Sequence, residues 1–240
     1  MEDRRDLVET RIDRLIIFVK WPEKGKVKTR LAADLGEDAV YELYKCFVED
    51  LLDTVANTGI QPLISFHPEE AEDKVRAWLG SGYSYVPQVG AELGERMKNA
   101  FSQVFSDGVS QAVLIGSDFP DFPAAIIKDA FSSLKRDDAV IGPARDGGYY
   151  LIGFRRKGFL PSIFDGIPWS TDAVFARTID ILQKEGRRVS RMPFWNDIDR
   201  PGDLAGLIER NMNNKSACPR TLACLMRHCI YDALCAETEK

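Results

Sequence analysis

Residues 20–31 read KWPEKGKVKTRL and set five cations, Lys20, Lys24, Lys26, Lys28 and Arg30, against one acid, Glu23. The chain as a whole carries a formal net charge of -5, so this is local positive charge in an acidic protein. The stretch follows a short apolar run, LIIFV at 15–19, which reads as a buried strand. Open α/β sheets bind ligands in loops at the carboxyl ends of strands. Cations placed there suit phosphate groups, and Gly25 lets backbone approach them. Neither the P-loop pattern nor the dinucleotide fingerprint is present. The plain alternative is a solvated basic loop. Lys20, Lys28 and Arg30 are the candidates for phosphate; Lys24 and Lys26 are read as solvent-facing.

Three further segments gather carboxylates. LIGSDFPDF (114–122) puts Asp118 two residues past another apolar run. A carboxylate beside a diphosphate is a natural ligand for Mg²⁺ or Mn²⁺, since Mg²⁺ takes one or two carboxylates together with phosphate oxygens and waters. A turn or cap role is the alternative for Asp118. Asp121, nearer the next helix, is read as its N-cap. GPARDGGYYLIG (142–153) holds Asp146 in a glycine-rich loop between two strands. Asp-Gly is a turn signal. The functional reading gives Gly147 and Gly148 to close backbone approach, and Asp146 to acid, base or acceptor chemistry on a substrate hydroxyl. WNDIDRPGDL (195–204) carries Asp197 and Asp199 on the same side of an extended segment. Either suits a second metal ligand, while Asp203 reads as a helix N-terminal acid.

The elements that must position these groups alternate along the chain. Strands are expected at 15–19, 60–66, 111–116, 139–142, 149–154 and 188–193. Helical periodicity covers 37–57, 69–79, 92–105, 124–134, 172–186 and 202–212. That alternation predicts an α/β fold, three layers α/β/α, with a mostly parallel sheet covered on both faces. The 240 residues suit one large domain with an appendage. The expected division is 1–212 for the domain and 213–240 for a C-terminal helical extension. No apolar run reaches the ~20 residues of a membrane span. The first residues, MEDRRDLVETRIDR, lack the apolar core of a signal peptide, so the expected setting is the cytoplasm. Net acidity argues against nucleic-acid binding.

Five cysteines, Cys46, Cys218, Cys224, Cys229 and Cys235, do not form a secreted disulfide framework. In the tail, CPRTLACLMRHCIYDALC (218–235), a helix sets Cys224 and His228 at i, i+4, so both could face one metal. The cysteine spacings are wider than those of usual zinc pairs. The plain reading is an amphipathic helix docked on the body or on a partner, with Cys serving as a small hydrophobe.

Taken in order, the segments FVKWPEKGKVKTRL, LGERM, IGSDFP, GPARDGGYYLIG, PWST and DIDRPGDL resemble the nucleotide-diphospho-sugar transferases, the GT-A type with a Rossmann-like core. Within these, the chain is similar to bacterial glycosyltransferases described as radical-SAM/selenodomain-associated transferases. The resemblance runs from residue 15 to about 210. It implies a metal-dependent transferase with a nucleotide-activated donor, most simply an NDP-sugar, and Mg²⁺ or Mn²⁺ as cofactor. It places Lys20, Lys28 and Arg30 on phosphates, with Arg96 as a further phosphate candidate. Asp118 and Asp199 fall on the metal and Asp146 near the transferring centre. One departure is visible. Such glycosyltransferases commonly show Asp-x-Asp at the metal site, where this chain has Ser117-Asp118-Phe119-Pro120; its literal Asp-x-Asp is Asp197-Ile198-Asp199. KTRL and the DGG loop are also similar to phospholactate-type guanylyltransferases. A nucleotidyltransferase that joins an NTP to a phosphorylated acceptor therefore stays open, as does a non-catalytic nucleotide-binding protein. The acceptor, and whether the chain is a monomer or homo-oligomer, are left open.

Overall fold

The computed structural model describes residues 12–211 and 217–230. Its first strand, β1 (Asp13–Lys20), sends Leu15, Ile17 and Val19 into one core and Ile16 into the opposite one. Successive side chains alternate across a strand, so a strand apolar on both sides must be covered twice. The other strands are β2 (Pro62–His67), β3 (Ser84–Pro87), β4 (Gln111–Ile115), β5 (Ala139–Pro143), β6 (Tyr149–Arg155) and β7 (Val189–Arg191). They form one sheet in the order β3-β2-β1-β4-β6-β5-β7. β6 runs antiparallel to β4 and β5, and every other pairing is parallel.

The helices are α1 (Thr29–Leu35), α2 (Glu37–Ala56), α3 (Glu72–Leu79), α4 (Leu93–Ser106), α5 (Ala124–Ser133), α6 (Val174–Lys184), α7 (Pro201–Asn211) and α8 (Pro219–Arg227). Val48, Leu51 and Val55 of α2, Val75 of α3 and Phe131 of α5 cover one face of the sheet. Phe101 and Val104 of α4 with Leu182 of α6 cover the other. This is the three-layer α/β/α class that the alternation predicts. A second core lies outside α2: Leu43 and Phe47 face Leu31 of α1, Leu207 of α7 and Leu225 of α8. α2 is therefore apolar on two sides, and each fully buried large side chain contributes roughly 1.5–3 kcal/mol.

The expected strands and helices are all present, with boundaries moved by a few residues. Two elements are additional. β3 has only four residues, too few for a period, and α1 turns the end of the basic segment into helix. Arg30 thus stands in a first helical turn rather than in a loop. The C-terminal segment is helical and docked, as α8; Cys235 and part of the extension lie outside the described residues, as does the N-terminal segment. No described helix is long and apolar enough to cross a membrane.

The topology fixes where a ligand can sit. From β1 the chain steps to β2 and β3 on one side, whereas β4 joins β1 on the other. The carboxyl ends of β1 and β4 are neighbours whose loops leave in opposite directions. Such a switch point opens a crevice at the sheet edge.

Candidate active site at the β1–β4 edge

A cleft of about 860 Å³ opens at this crevice, within the ~300–1,000 Å³ usual for small-molecule sites. Lys20, the last residue of β1, forms part of its wall. Backbone N–H of Lys20 donates to the Tyr44 hydroxyl at 3.0 Å, and that hydroxyl lies 3.0 Å from Ser117 Oγ just past β4. Tyr44, buried on α2, therefore ties the two strand ends together. Burial, and then the nearby Asp118 charge, pushes its pKa up to about 12, so it stays protonated as a hydrogen-bonding group.

Lys28 marks the centre of the site. Its backbone is left-handed (φ 46°) and turns the chain into α1. Its Nζ lies 2.9 Å from Asp118 Oδ1 and 2.6 Å from Asp199 Oδ1, with the side chain only 6% exposed. Burial alone would lower the lysine pKa; the two carboxylates outweigh it and raise it well above its ordinary value. Asp199 shows the reciprocal effect: burial pushes it up, and the charge and hydrogen bond of Lys28, with Arg30 and Asp197, together outweigh burial and bring it below the ordinary range. Asp197 makes no salt bridge among the described residues, and the more distant Lys28 lowers its pKa only in part. Burial first, and the Asp199 charge second, push it up to about 6.

Residues 90 and 171 positions apart meet because the late loop is stitched to the middle one. Ile198 N–H donates to Asp118 C=O at 3.0 Å, and Trp195 pairs with Ala144 in a parallel bridge. Asp203, in the first turn of α7, accepts from the N–H groups of Asp199 and Arg200 at 3.0 and 2.8 Å. This is the helix-start role expected of it. Asp121 differs from expectation. It does not cap α5, whose N-terminus has no side-chain cap. It is buried and accepts from Arg210 and Asn211 at 3.1 and 3.0 Å, fastening α7 to the β4 side.

The remaining candidates divide. Lys20, Arg30, Arg96, Asp146 and Gly148 line the cleft. Lys20 Nζ donates to Lys26 C=O at 2.7 Å, and Arg30 lies 3.8 Å from Asp199 with its side chain 65% exposed. Arg96 Nε donates to Gly90 C=O at 2.9 Å, holding the turn before α4. Asp146 accepts from Gly148 N–H at 2.9 Å, so it serves the hairpin turn while facing the cleft. Two glycines are elsewhere. A Cβ on Gly25 would meet Glu37, and one on Gly147 would lie 2.2 Å from Asp172 C=O; neither lines the cleft. Gly147, at φ 86°, packs the hairpin against the 170s loop. Lys24 pairs with Asp38 and Lys26 with Glu23 on the surface; Lys26 nonetheless borders the cleft.

Sequence reasoning missed several lining groups: Tyr44, His67, Gln88, Ser117, Tyr149 and Trp169. Tyr44 reads as a core position of α2, and only its hydroxyl marks it as different. His67 and Gln88 end β2 and follow β3; strand-end position was the signal, and β3 was not foreseen. Trp169 packs over the start of α4, where a Cβ on Gly94 would lie 2.4 Å from its Nε1.

A family model described as "Uncharacterized protein conserved in bacteria (DUF2064)" matches residues 51–171. The crystal structure of a candidate nucleotide-diphospho-sugar transferase from Desulfovibrio desulfuricans G20 is similar at TM-score 0.88 and 40% identity, over 94% of this chain and 97% of that one. A 4-diphosphocytidyl-2C-methyl-D-erythritol synthase from Anaerococcus prevotii DSM 20548 matches at TM-score 0.57 and 11% identity, over 85% and 97% of the two chains. The inositol-1-phosphate CTP transferase from T. maritima matches at 0.52 and 17%, over 89% and 96%. At those identities the last two speak for the fold alone. None of the curated proteins matches the chain. The fold read from the sequence, that of the nucleotide-diphospho-sugar transferases, is thereby borne out.

Proposed function

The chain belongs to the DUF2064 family, and from that premise we propose that it is a transferase acting on a nucleotide-activated donor, with glycosyl transfer from an NDP-sugar as its reaction. The observation that carries this reading is the Lys28 ammonium between Asp118 and Asp199 at the switch point. Both carboxylates keep a side open to the cleft, 41% and 38% exposed. Two carboxylates with open oxygens suit Mg²⁺ or Mn²⁺, which share such ligands with substrate phosphates. The donor set therefore fits the cation that the fold family implies, with Asp118 and Asp199 as its protein ligands. Bound there, it would neutralise charge on the leaving diphosphate.

The chain's own residues account for the rest. Lys28 holds the two carboxylates side by side against their mutual repulsion. Arg30, Lys20 and Arg96 supply positive charge along the wall for donor phosphates. Gly148 leaves room at the mouth of the hairpin. Asp146 takes the proton from the acceptor hydroxyl as it attacks the donor. Tyr44 keeps the strand ends, and so Lys20 and Ser117, in fixed relation.

Nucleotidyl transfer is the second reading. It is favoured by the Asp197–Asp199 pair, both lining the cleft, and by the absence of Asp-x-Asp after β4. One panel separates the two: thermal stability with NTPs and with NDP-sugars, each with Mn²⁺. Stabilisation by UDP- or GDP-sugar and not by NTP is the expected result. Stabilisation by NTP alone would transfer the assignment to the second reading. Binding that ignores Mn²⁺ and survives Asp118→Ala would make the protein a non-catalytic binder.

A further inference from the structure

Helices α2 and α8 lie side by side in opposite directions, and three levels of contact join them. At the first, Asp50 of α2 accepts from the N–H groups of Arg220 and Thr221 at 3.1 and 2.8 Å, capping the start of α8 from a neighbouring helix. At the second, Cys46 of α2 and Cys224 of α8 are both buried in the apolar core between the helices. At the third, Glu42 Oε2 lies 3.1 Å from His228 Nε2. Positions 42, 46 and 50 repeat at one-turn spacing on α2, and 224 and 228 do so on α8.

We propose that Glu42, Cys224 and His228 hold a zinc-type divalent cation that fastens α8 to α2. The carboxylate oxygen, the thiol sulfur and the imidazole nitrogen all lie within 4.8 Å of one another. Zinc accepts all three donor types, and tetrahedral ligands at its usual bond lengths stand roughly 3.3–3.6 Å apart. The Glu42–His228 contact, at 3.1 Å, is slightly shorter than that spacing, and small side-chain rotations open it and bring Cys224 to the third position. Cys224 is fully buried, whereas His228 and Glu42 are 28% and 47% exposed. The cation thus has an entry path and an outward position for water, with sulfur anchored in the core. Cys46 acts as a positioning residue, packed in the same core as Cys224 one turn along α2 from Glu42. The donor set selects against Mg²⁺ and Mn²⁺, which favour oxygen ligands, so this position does not compete with the cleft.

The test uses the full chain, stripped with a chelator and titrated with Zn²⁺ against a chromogenic competitor, then with Co²⁺ followed by absorption. One equivalent of Zn²⁺ is expected, and a Co²⁺ spectrum with strong four-coordinate visible bands and a sulfur charge-transfer band. Cys224→Ser should abolish the charge-transfer band. His228→Ala, at a partly exposed position that tolerates the change, should weaken Zn²⁺ binding by more than the roughly 10–100-fold expected from losing an outer partner. Cys229→Ser and Asp118→Asn should leave it unchanged. Zn²⁺ below one equivalent, a weak six-coordinate Co²⁺ spectrum, or affinity unaltered in His228→Ala with the fold intact by circular dichroism would each overturn the proposal. So would loss of binding in Cys229→Ser.

Discussion

The cleft and the α2–α8 seam lie on different sides of one helix and solve opposite problems. At the cleft, charged groups sit on loops after β1 and β4 and before α7, with oxygen donors open to solvent. At the seam, the groups sit on helices, and a thiol is fully buried. Loops bring residues from distant parts of the chain to one ligand and let it enter. Helices hold side chains at fixed one-turn intervals and suit a permanent fastening. In the cleft a lysine separates the carboxylates; at the seam, capping and hydrogen bonds already do the joining. The contrast teaches that Tyr44, on the α2 side facing the cleft, and Glu42 and Cys46, on the side facing α8, can be altered independently.

That independence can be broken by mutation. Asp118→Asn should have the largest effect: loss of one preorganised charged ligand costs about 100- to 1,000-fold in turnover, measured with the donor identified by the thermal panel. The seam should keep its fold, and a matching loss of helix content would defeat the separation. Lys28→Met comes next. Removing one partner from a fully buried ion pair costs about 3–5 kcal/mol, but both carboxylates here are near 40% exposed, and solvent screens them. A loss of about 1–3 kcal/mol in urea unfolding is therefore expected, together with weakened donor binding. Unchanged donor binding would show that the lysine only supports the fold.

Asp50→Ala probes the seam. It leaves two N–H groups of α8 without their acceptor, at a cost of about 1–2 kcal/mol. Nucleotide-dependent stabilisation should persist at its wild-type increment; a reduced increment would mean that the two sides of α2 are coupled. Lys24→Ala should have the smallest effect. Its partner is the exposed Asp38, and neither melting midpoint nor nucleotide response should move.

The fold was legible because the buried strands are continuous apolar runs and the long helices keep their period. β3 and α1 were not, being short and set by neighbours rather than by their own pattern. Lys28 shows where reading of the site stopped. Its charge and its place after β1 were visible, and so was a location opposite Asp118 and Asp199. That its ammonium lies between those carboxylates depends on the Ile198–Asp118 backbone bond, which no local signal announces. Asp121 was misread for the same reason, since its partners are about 90 residues away. Gly147 was read for close backbone approach to a ligand; the fold sets its Cα, at positive φ, against the Asp172 backbone, which is invisible without the fold. Cys224 and His228 were paired by helical spacing, but Glu42 enters only when α2 is laid against α8.

The central claim is that Asp118 and Asp199 bind a donor's phosphates through a divalent cation. Calorimetric titration of an NDP-sugar with and without Mn²⁺, in the wild type and in Asp199→Asn, tests it most directly. The account predicts binding that requires Mn²⁺ and collapses in Asp199→Asn while the unfolding transition is retained. Equal binding without Mn²⁺, or full Mn²⁺-dependent binding by Asp199→Asn, would contradict it.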